Sequence, residues 1–430
     1  MVNKLEKCLH PMLAKRDQKW FCHKIQAEMQ KQGLGYLILQ APYNVFYATG
    51  YTSLVGSSAA VIPAEGDVHL LISTLESADA YASTQDVDVR EFMSWVFIDN
   101  GTEESRRDKG DVMDPDAIIH ICLDLIKNTP MDGKVGIEMG SVTHHFYTAL
   151  TEALPEGRVV DGSTVTRNCR VVKCQWEIDM LRLAAQEADK AWRAMIEEVK
   201  PGMPAWKLDA MFSYYASKLN LEHGTASRGH NFIPAAGPYY GLCGMPRGYI
   251  LQAGDIIKFD VGYQYLGYWS DIARTFAVGG TAPDEALELY DTLYRANRLG
   301  VSMLKPGVAM RDIYSAIREE VEKSRLVPKY PRGHMGHSIG CGVGPEEYPT
   351  IAPGTDYVLE PNMVVCLETP YSGTGGAPVH GGFNLEDTHL ITANGHDSFT
   401  TMPDNIFWKS ANPVPCAFID DSTPDEMEKC

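Results

Sequence analysis

The stretch FDVGYQYLGYWSDIARTF (residues 259–276) decides the fold of the second half of this chain. Apolar and aromatic residues dominate both of its arms, and Gly267 can adopt the positive φ that a tight turn requires. The stretch therefore predicts a β-hairpin that turns near residues 265–268. This hairpin places Asp260 on one strand and Asp271 on the next.

Acidic residues interrupt other apolar strands in the same way. Glu368 lies in VVCLETPY, and Glu386 lies in GFNLEDTHLIT. Aspartate is depleted in strand interiors, and a buried carboxylate costs several kcal/mol unless it is paired or bound to a metal. His337 lies among glycines in GHMGHSIGCGVG, and these glycines let the backbone approach a site closely. One such residue is usually structural, but four acids and an imidazole in this pattern indicate a shared site.

Such a cluster implies bound cations. Several carboxylates cannot share a cavity in their ionised form unless positive charge neutralises them. The cluster therefore predicts two divalent metal ions. Oxygen-rich ligation with a single nitrogen suits Mn²⁺, Fe²⁺ or Co²⁺, and Zn²⁺ is also compatible with it.

In this order, Asp260, Asp271, His337, Glu368 and Glu386 resemble the dinuclear metal site of the pita-bread metallopeptidase family (M24), which includes Xaa-Pro dipeptidases, aminopeptidases P and methionine aminopeptidases. The two aspartates are 271 − 260 = 11 residues apart, as in the family, and GHSIG carries its GHxxG histidine motif. RVVKCQWEIDMLRLAAQEAD resembles the entry helix of the catalytic domain. YNVFYATGY is similar to the creatinase/prolidase-type N-terminal domain, which favours the prolidase–creatinase branch.

The resemblance implies a role for each ligand. Asp260 would chelate one metal, Asp271 and Glu386 would bridge both, and His337 and Glu368 would hold the second. A metal-bridged hydroxide would be the nucleophile, because two cations lower the pKa of a water and polarise the scissile carbonyl. Glu368 would act as the proton shuttle. The family also suggests a homodimer.

The fold that the resemblance implies agrees with the order of the predicted elements. Helix and strand patterns alternate up to about residue 166, whereas helices and antiparallel strands form separate blocks afterwards, which is typical of an α+β fold. We expect a small N-terminal α/β creatinase-type domain over residues 1–166. A pita-bread domain with a curved antiparallel sheet covered by helices would follow over 167–415, and residues 416–430 would form an acidic tail.

The substrate-binding positions depart from the family pattern. Proline-specific members carry two further histidines and an arginine, and the corresponding positions here are Gly244, Glu346 and Asn384. The loop that should face the substrate supplies Tyr239, Tyr240 and Arg247 instead. We therefore name Tyr239, Tyr240, Arg247 and Glu346 as candidate substrate-binding residues.

Histidines near the ligands are candidates for a supporting catalytic role. His334 lies three residues before His337, and His380 lies six residues before Glu386. His223 and His230 precede the substrate loop and are weaker candidates. For each of them a surface or packing role is the more common one.

Composition excludes several other classes. The net charge of −18 argues against a nucleic-acid partner, because such a partner requires a basic face. No apolar run approaches the roughly 18–20 residues that span a bilayer, and the N-terminus lacks a signal-peptide core. Ten cysteines are scattered without a CxxC pair, which suits reduced thiols in the cytoplasm.

Three functions follow as hypotheses. The leading one is hydrolysis of C–N bonds in Xaa-Pro dipeptides or similar peptides. The second is a non-peptidase activity on a small osmolyte-like or guanidino substrate, as in the creatinase, ectoine hydrolase and dimethylsulfoniopropionate lyase of this superfamily. The third is a silent binding protein. The complete ligand set counts against a creatinase and against a silent protein.

Overall fold

The computed structural model describes residues 6–54, 56, 58–93, 114–128, 130–223, 230–232, 235–237, 248–373, 377–403 and 405–407, without the side chains of 220–223 and 230–232. The chain forms two compact units. The first contains residues up to Val171 together with Cys341–Val343, and the second contains the other described residues. The domain boundary at 166/167 stays a prediction, and the acidic tail over 416–430 lies outside the described residues.

The first unit contains a six-stranded mixed sheet flanked by helices. Its helices are α1 (Gln18–Lys31), α2 (Pro42–Thr49), α3 (Ser77–Ser83), α4 (Ala117–Asn128), α5 (His144–Ala153) and α6 (Ser163–Val171). Its strands are β1 (Leu34–Leu39), β2 (Ser58–Pro63), β3 (Val68–Ser73), β4 (Val87–Phe92), β5 (Lys134–Ile137) and β6 (Val159–Asp161). The strand order is β4-β3-β2-β1-β5-β6, and β1 pairs antiparallel with β2 but parallel with β5. This is the mixed α/β arrangement predicted for the N-terminal part.

The second unit is built on an antiparallel sheet. Its helices are α7 (Gln175–Glu198), α8 (Lys207–His223), α9 (Asp284–Ser302) and α10 (Met310–Glu322). Its strands are β7 (His230–Phe232), β8 (Ala235–Ala236), β9 (Ile256–Tyr265), β10 (Tyr268–Trp269), β11 (Ile272–Ala277), β12 (Gly336–Ser338), β13 (Glu347–Thr350), β14 (Val364–Glu368), β15 (Tyr371–Gly373), β16 (Gly381–Phe383), β17 (Glu386–Ile391) and β18 (His396–Ser398). The main sheet has the order β10-β9-β11-β17-β14-β12-β13, with β7 and β8 on β9 and β18 on β17.

Helix α7 shows how the sequence pattern determines a helix and its buried face. The backbone N–H of Cys174 donates to Glu177 Oε2 (2.9 Å), which satisfies a free donor at the start of the helix. The apolar stripe is buried as the three-to-four spacing predicts, from Ile178 to Met195. The helix ends at Glu198, shortly before Pro201, and it packs on β9.

The predicted hairpin forms between β9 and β10. Its two turn residues, Leu266 (φ 45°) and Gly267 (φ 86°), both have positive φ, which matches the right-handed twist of the flanking strands. Strand β11 then returns antiparallel to β9, and Asp260 lies opposite Ala273. Asp271 lies one residue before β11 rather than inside a strand.

The segment GFNLEDTHLIT (residues 382–392), which its sequence predicts to be one strand, belongs to two strands instead. Asn384 separates β16 from β17, and its backbone N–H donates to Thr275 Oγ1 (3.0 Å) while Thr275 Oγ1 donates to the Asn384 carbonyl (2.9 Å). A side chain of β11 therefore replaces the strand ladder at this point, a contact that sequence periodicity does not reveal.

None of the described helices is long and apolar enough to cross a membrane.

Candidate active site

One row of side chains crosses four strands of the second sheet. Asp260 on β9 is opposite Ala273 on β11, Ala273 is opposite Glu386 on β17, and Glu386 is opposite Glu368 on β14. Residues that are opposite each other point to the same face, with Cβ atoms about 4.5–5.5 Å apart. Three acids therefore share one face, and the small side chain of Ala273 leaves the space between them.

A second row lies two residues further along the same face. Thr388 on β17 is opposite Cys366 on β14, and Cys366 is opposite His337 on β12. Asp271, which directly precedes β11, lies next to this row. Its backbone carbonyl accepts a hydrogen bond from Thr388 Oγ1 (3.1 Å). The fourth acid and the imidazole thus lie beside the first row.

The two rows bring the five predicted ligands together. One carboxylate oxygen each of Asp260, Asp271 and Glu386 lies within 4.8 Å of the others. His337 Nε2 lies 3.6 Å from Asp271 Oδ2 and 3.5 Å from Glu386 Oε1. Glu386 Oε1 is buried and makes no hydrogen bond with the described residues. The cluster therefore contains an acceptor that the described part of the chain leaves unsatisfied.

Burial and mutual repulsion raise the pKa values of three of the four carboxylates. Burial raises the pKa of Asp271 well above its usual range, and the charges of Glu386 and Asp260 raise it further. Burial and Glu368 together raise the pKa of Glu386 to about 8. Burial also raises the pKa of Asp260, although Lys258 Nζ lies 3.1 Å from Asp260 Oδ2 and opposes the shift. A divalent cation would relieve this repulsion by displacing the protons.

Glu368 differs from the other acids because an arginine and a histidine contact one of its oxygens. Arg332 Nη2 donates to Glu368 Oε1, and His334 Nδ1 lies 3.3 Å from the same oxygen. Burial acts to raise the pKa of Glu368, but Arg332, His337 and His334 outweigh burial and lower it. Asn384 Nδ2 donates to Glu368 Oε2 (3.2 Å). Glu368 is thus the acid of the cluster that stays ionised most readily.

His337 also responds to the cluster. Burial acts to lower the pKa of His337, but the Glu386 carboxylate, whose Oε1 lies 3.5 Å from His337 Nε2, raises it to about 9. His337 Nδ1 lies 3.0 Å from the carbonyl oxygen of Ser338, so Nε2 is the nitrogen directed at the carboxylates. Four acids, one directed imidazole nitrogen and one unsatisfied oxygen fit divalent metal ions.

Comparison with known proteins identifies the family. Residues 179–393 match metallopeptidase family M24, and residues 22–172 match the creatinase/prolidase N-terminal domain. The chain belongs to metallopeptidase family M24. It is a metal-dependent hydrolase of the peptidase type, in the prolidase/creatinase-like branch.

Relatives support this assignment along most of the chain. An Xaa-Pro dipeptidase of Pyrococcus furiosus is 31% identical over 282 residues, which are 64% of this chain and 75% of the relative. The uncharacterized peptidase YqhT of Bacillus subtilis is 28% identical over 377 residues, 87% of this chain and 96% of the relative. The structure of an Xaa-Pro dipeptidase from Bacillus anthracis has a TM-score of 0.74 at 21% identity and covers 91% of this chain and 99% of its own. This likeness confirms the predicted α+β pita-bread fold.

The other candidate residues of this M24 protein lie at different distances from the cluster. His334 contacts Glu368, as described above. Glu346 is exposed, but its charge acts on the pKa of Asp271 and His334. His380 is exposed and directly precedes β16. Tyr239, Tyr240, Gly244 and Arg247 lie outside the described residues, as do the side chains of His223 and His230.

Sequence reasoning missed three residues at the M24 cluster. Lys258 is buried two residues before Asp260. A lysine inside the apolar run IIKFD indicates a buried cation near the acids, so the sequence could have revealed it. Cys366 is buried two residues before Glu368, which by the period of a strand places both on one face. No local pattern marks Arg332, because it reaches Glu368 from the loop before β12.

Proposed function

We propose that this chain hydrolyses C–N bonds of small peptides, Xaa-Pro dipeptides first among them, with two divalent metal ions held by Asp260, Asp271, His337, Glu368 and Glu386. The observation that carries the proposal is the unsatisfied Glu386 Oε1 within a set of buried carboxylates. Silent proteins have no reason to retain such a set, because buried like charges destabilise the fold unless a ligand compensates for them.

Metals at these residues would lower the pKa of a water to generate a hydroxide nucleophile and would polarise the scissile carbonyl. The described side chains would supply the proton transfers and the orientation of the general base. Glu368 is held ionised by Arg332 and can take a proton from the attacking water, then return it to the leaving amine. Burial and Arg332 lower the pKa of His334, whose Nδ1 lies 3.3 Å from Glu368 Oε1 and could share this proton. Asn384 orients Glu368 through its second oxygen.

Arg332 is a candidate replacement for the arginine that the family carries at position 384. Its Nη2 donates to Glu368 and its Nε donates to the His334 carbonyl (3.1 Å), while its Nη1 has no hydrogen-bond partner among the described residues. The side chain is 20% exposed and also lines a cavity of about 490 Å³ formed by residues 326–332, 370–372 and 377–378. A guanidinium held on one edge and open on the other suits an anionic substrate group. Tyr239, Tyr240, Arg247, Glu346 and His380 remain further proposals for substrate contact or catalysis.

The substrate assay should combine metal loading with a panel of substrates. Protein loaded with Mn²⁺ or Co²⁺ is assayed on Xaa-Pro dipeptides and, in parallel, on ectoine, creatine and dimethylsulfoniopropionate. We expect dipeptide cleavage below the usual kcat/KM range of about 10⁴–10⁸ M⁻¹s⁻¹. Each missing charge-assisted hydrogen bond costs about 1.5–3 kcal/mol. A value inside that range would mean that the altered substrate positions do not matter.

A second candidate activity follows from the same departures. Asn384 is neutral where a proline-specific member carries arginine, so this position lacks the cation that would bind the substrate there. This departure favours a different small substrate that is held by other contacts. Turnover of such a compound, with inert dipeptides and full metal content, would replace the leading proposal. If a fully metal-loaded protein turned over none of these substrates, both proposals would fail.

Metal identity, assembly and cellular location are further proposals. We expect up to two manganese, iron or cobalt ions per chain by elemental analysis of protein purified without chelator. We also expect a homodimer by light scattering and a cytoplasmic location by fractionation. Less than about a tenth of an equivalent of metal after loading would contradict the two-metal proposal.

A further inference from the structure

Cys366 lies inside the metal-binding face rather than behind it. It precedes Glu368 by two residues on β14, so both side chains point to the same face of the sheet. On that face its neighbours are His337 on one side and Thr388 on the other. The side chain is fully buried. A thiol therefore lies in the middle of the second row.

The thiol is close enough to two ligands to share a metal ion with them. One donor atom each of His337, Cys366 and Glu386 lies within 4.8 Å of the others. Around one tetrahedral zinc ion these donors would be roughly 3.3–3.7 Å apart, because zinc binds N, O and S at about 2.0–2.3 Å. The three side chains would thus need to move closer by about 1 Å or less on average.

A second observation points to a ligand at this position. Glu386 is 2% exposed, and its Oε1 makes no hydrogen bond with the described residues. Among the described residues the Sγ atom makes two weak contacts, 3.4 Å to Thr388 Oγ1 and 3.9 Å to the Asp271 carbonyl. Neither contact would have to be replaced at a high cost if a cation bound.

Two overlapping donor sets therefore share Glu386. The set of Asp260, Asp271 and Glu386 contains only oxygen donors, which suit hard cations such as Mn²⁺. The set of His337, Cys366 and Glu386 adds nitrogen and sulfur, which suit zinc and softer cations. We propose that His337, Cys366 and Glu386 form a thiophilic metal position, which Zn²⁺ or Cd²⁺ occupies through the sulfur of Cys366. The bond forms between the metal and the thiolate, and the thiol proton leaves to solvent.

The position has a functional consequence. A zinc or cadmium ion bound through Cys366 would take His337 and Glu386 away from the two-metal arrangement of the proposed function. These cations would then compete with Mn²⁺ for the same protein, while Mn²⁺ itself would leave the sulfur unbound. The inference depends on the donor cluster but not on peptidase activity, so its test uses no substrate.

The test is a titration of metal-free full-length protein with Cd²⁺, followed by the ultraviolet cadmium–thiolate charge-transfer absorption. We expect a band that saturates at one equivalent per chain in the wild type. It should be lost in Cys366→Ser and kept in the matched control Cys174→Ser, which places a favoured N-cap residue at the start of α7. Mn²⁺ should produce no band. The Zn²⁺ concentration needed to displace bound Mn²⁺ should be at least about tenfold higher for Cys366→Ser than for the wild type.

A measurement on the wild type covers the case in which Cys366→Ser does not fold. X-ray absorption at the zinc edge should detect one sulfur neighbour at about 2.3 Å in protein loaded with one equivalent of Zn²⁺. A zinc shell of only nitrogen and oxygen would overturn the proposal. A cadmium band that persists unchanged in folded Cys366→Ser would overturn it as well, since another cysteine would then be the ligand.

Discussion

Both units of the chain bury carboxylates, but they compensate for them in different ways. In the first unit, Glu138 is 3% exposed, and its Oε2 accepts hydrogen bonds from the backbone N–H groups of Gln40 (2.8 Å) and Ala41 (2.9 Å). Asn44 donates to its other oxygen. These donors lie at the beginning of α2, where a negative charge is also favoured by the helix dipole. Backbone and side-chain donors of the first unit thus satisfy both oxygens of Glu138.

The acids of the second unit are compensated far less completely. Asp260, Asp271, Glu368 and Glu386 lie on one face of the sheet. Among the described residues, Arg332 contacts Glu368, Lys258 contacts Asp260, and the His337 imidazole lies beside Asp271 and Glu386. Glu386 Oε1 has no hydrogen bond with the described residues. Burial of one acid therefore indicates a structural role when donors surround it. When several buried acids outnumber the hydrogen-bond donors and cations around them, the missing positive charge is expected to come from a ligand.

The largest expected effect is that of Glu386→Gln, which removes a negative charge from the centre of the cluster. Metal content should fall to a small fraction of the wild-type value, and activity should fall at least about 10³-fold, because a metal supplies several kcal/mol of transition-state stabilisation. Elemental analysis and kcat measurements check both. Glu360→Gln, an exposed acid of the same unit, is the control. Full metal content in Glu386→Gln would break the comparison.

The pH dependence of stability should also differ between the metal-free and metal-loaded protein. The pKa values of Asp260, Asp271 and Glu386 are raised in the folded protein, to about 8 for Glu386. A group with a raised pKa contributes stability that is complete below its unfolded pKa and is lost as the pH rises through its folded pKa. The metal-free protein should therefore lose stability between about pH 5 and 8. Glu368, whose pKa is lowered, affects stability only at lower pH and does not change this trend.

We expect this loss to be at least about 2 kcal/mol, since a pKa difference of one corresponds to about 1.4 kcal/mol. Urea unfolding at pH 5 and pH 8, with chelator and with Mn²⁺, measures it. The loss should disappear in the metal-loaded protein, because bound cations keep the carboxylates ionised at both pH values. Equal pH profiles for the two forms would show that metal ions do not compensate these acids.

Glu138→Gln tests the other side of the comparison. The amide has one accepting oxygen in place of two, so one buried hydrogen bond of Glu138 is lost, which costs about 1–3 kcal/mol of unfolding free energy. Metal content and kcat should stay at the wild-type values. Denaturant unfolding and elemental analysis together check this, and a loss of metal from this variant would contradict the assignment of Glu138 as purely structural.

The smallest expected effect concerns Lys258, the buried cation beside Asp260. Lys258→Met removes a positive charge that competes with a metal ion for Asp260. Affinity for Mn²⁺ should rise by up to about tenfold, which corresponds to 1.4 kcal/mol. Calorimetric titration measures it, with the exposed Lys305→Met as the matched control. A weaker affinity would mean that Lys258 mainly holds Asp260 in position.

Much of the fold could be predicted because local patterns determine it. The apolar stripe of α7 and the Gly267 turn of the hairpin depend only on residues near one another in the sequence. Asn384 illustrates the limit. Its break between β16 and β17 depends on Thr275, 109 residues away, so that one continuous strand was the wrong prediction for this segment.

The residues of the candidate centre could be recognised from the sequence, because acids and an imidazole in apolar strands stand out when burial without compensation is unfavourable. The tertiary structure alone decided how they are arranged. Strand register places Asp260, Glu386 and Glu368 in one row and Cys366 beside His337 in the next. The approach of Arg332 to Glu368 depends likewise on the path of a loop. Register and loop paths depend on contacts between distant segments, and for that reason the arrangement of the site could not be obtained from spacing along the chain.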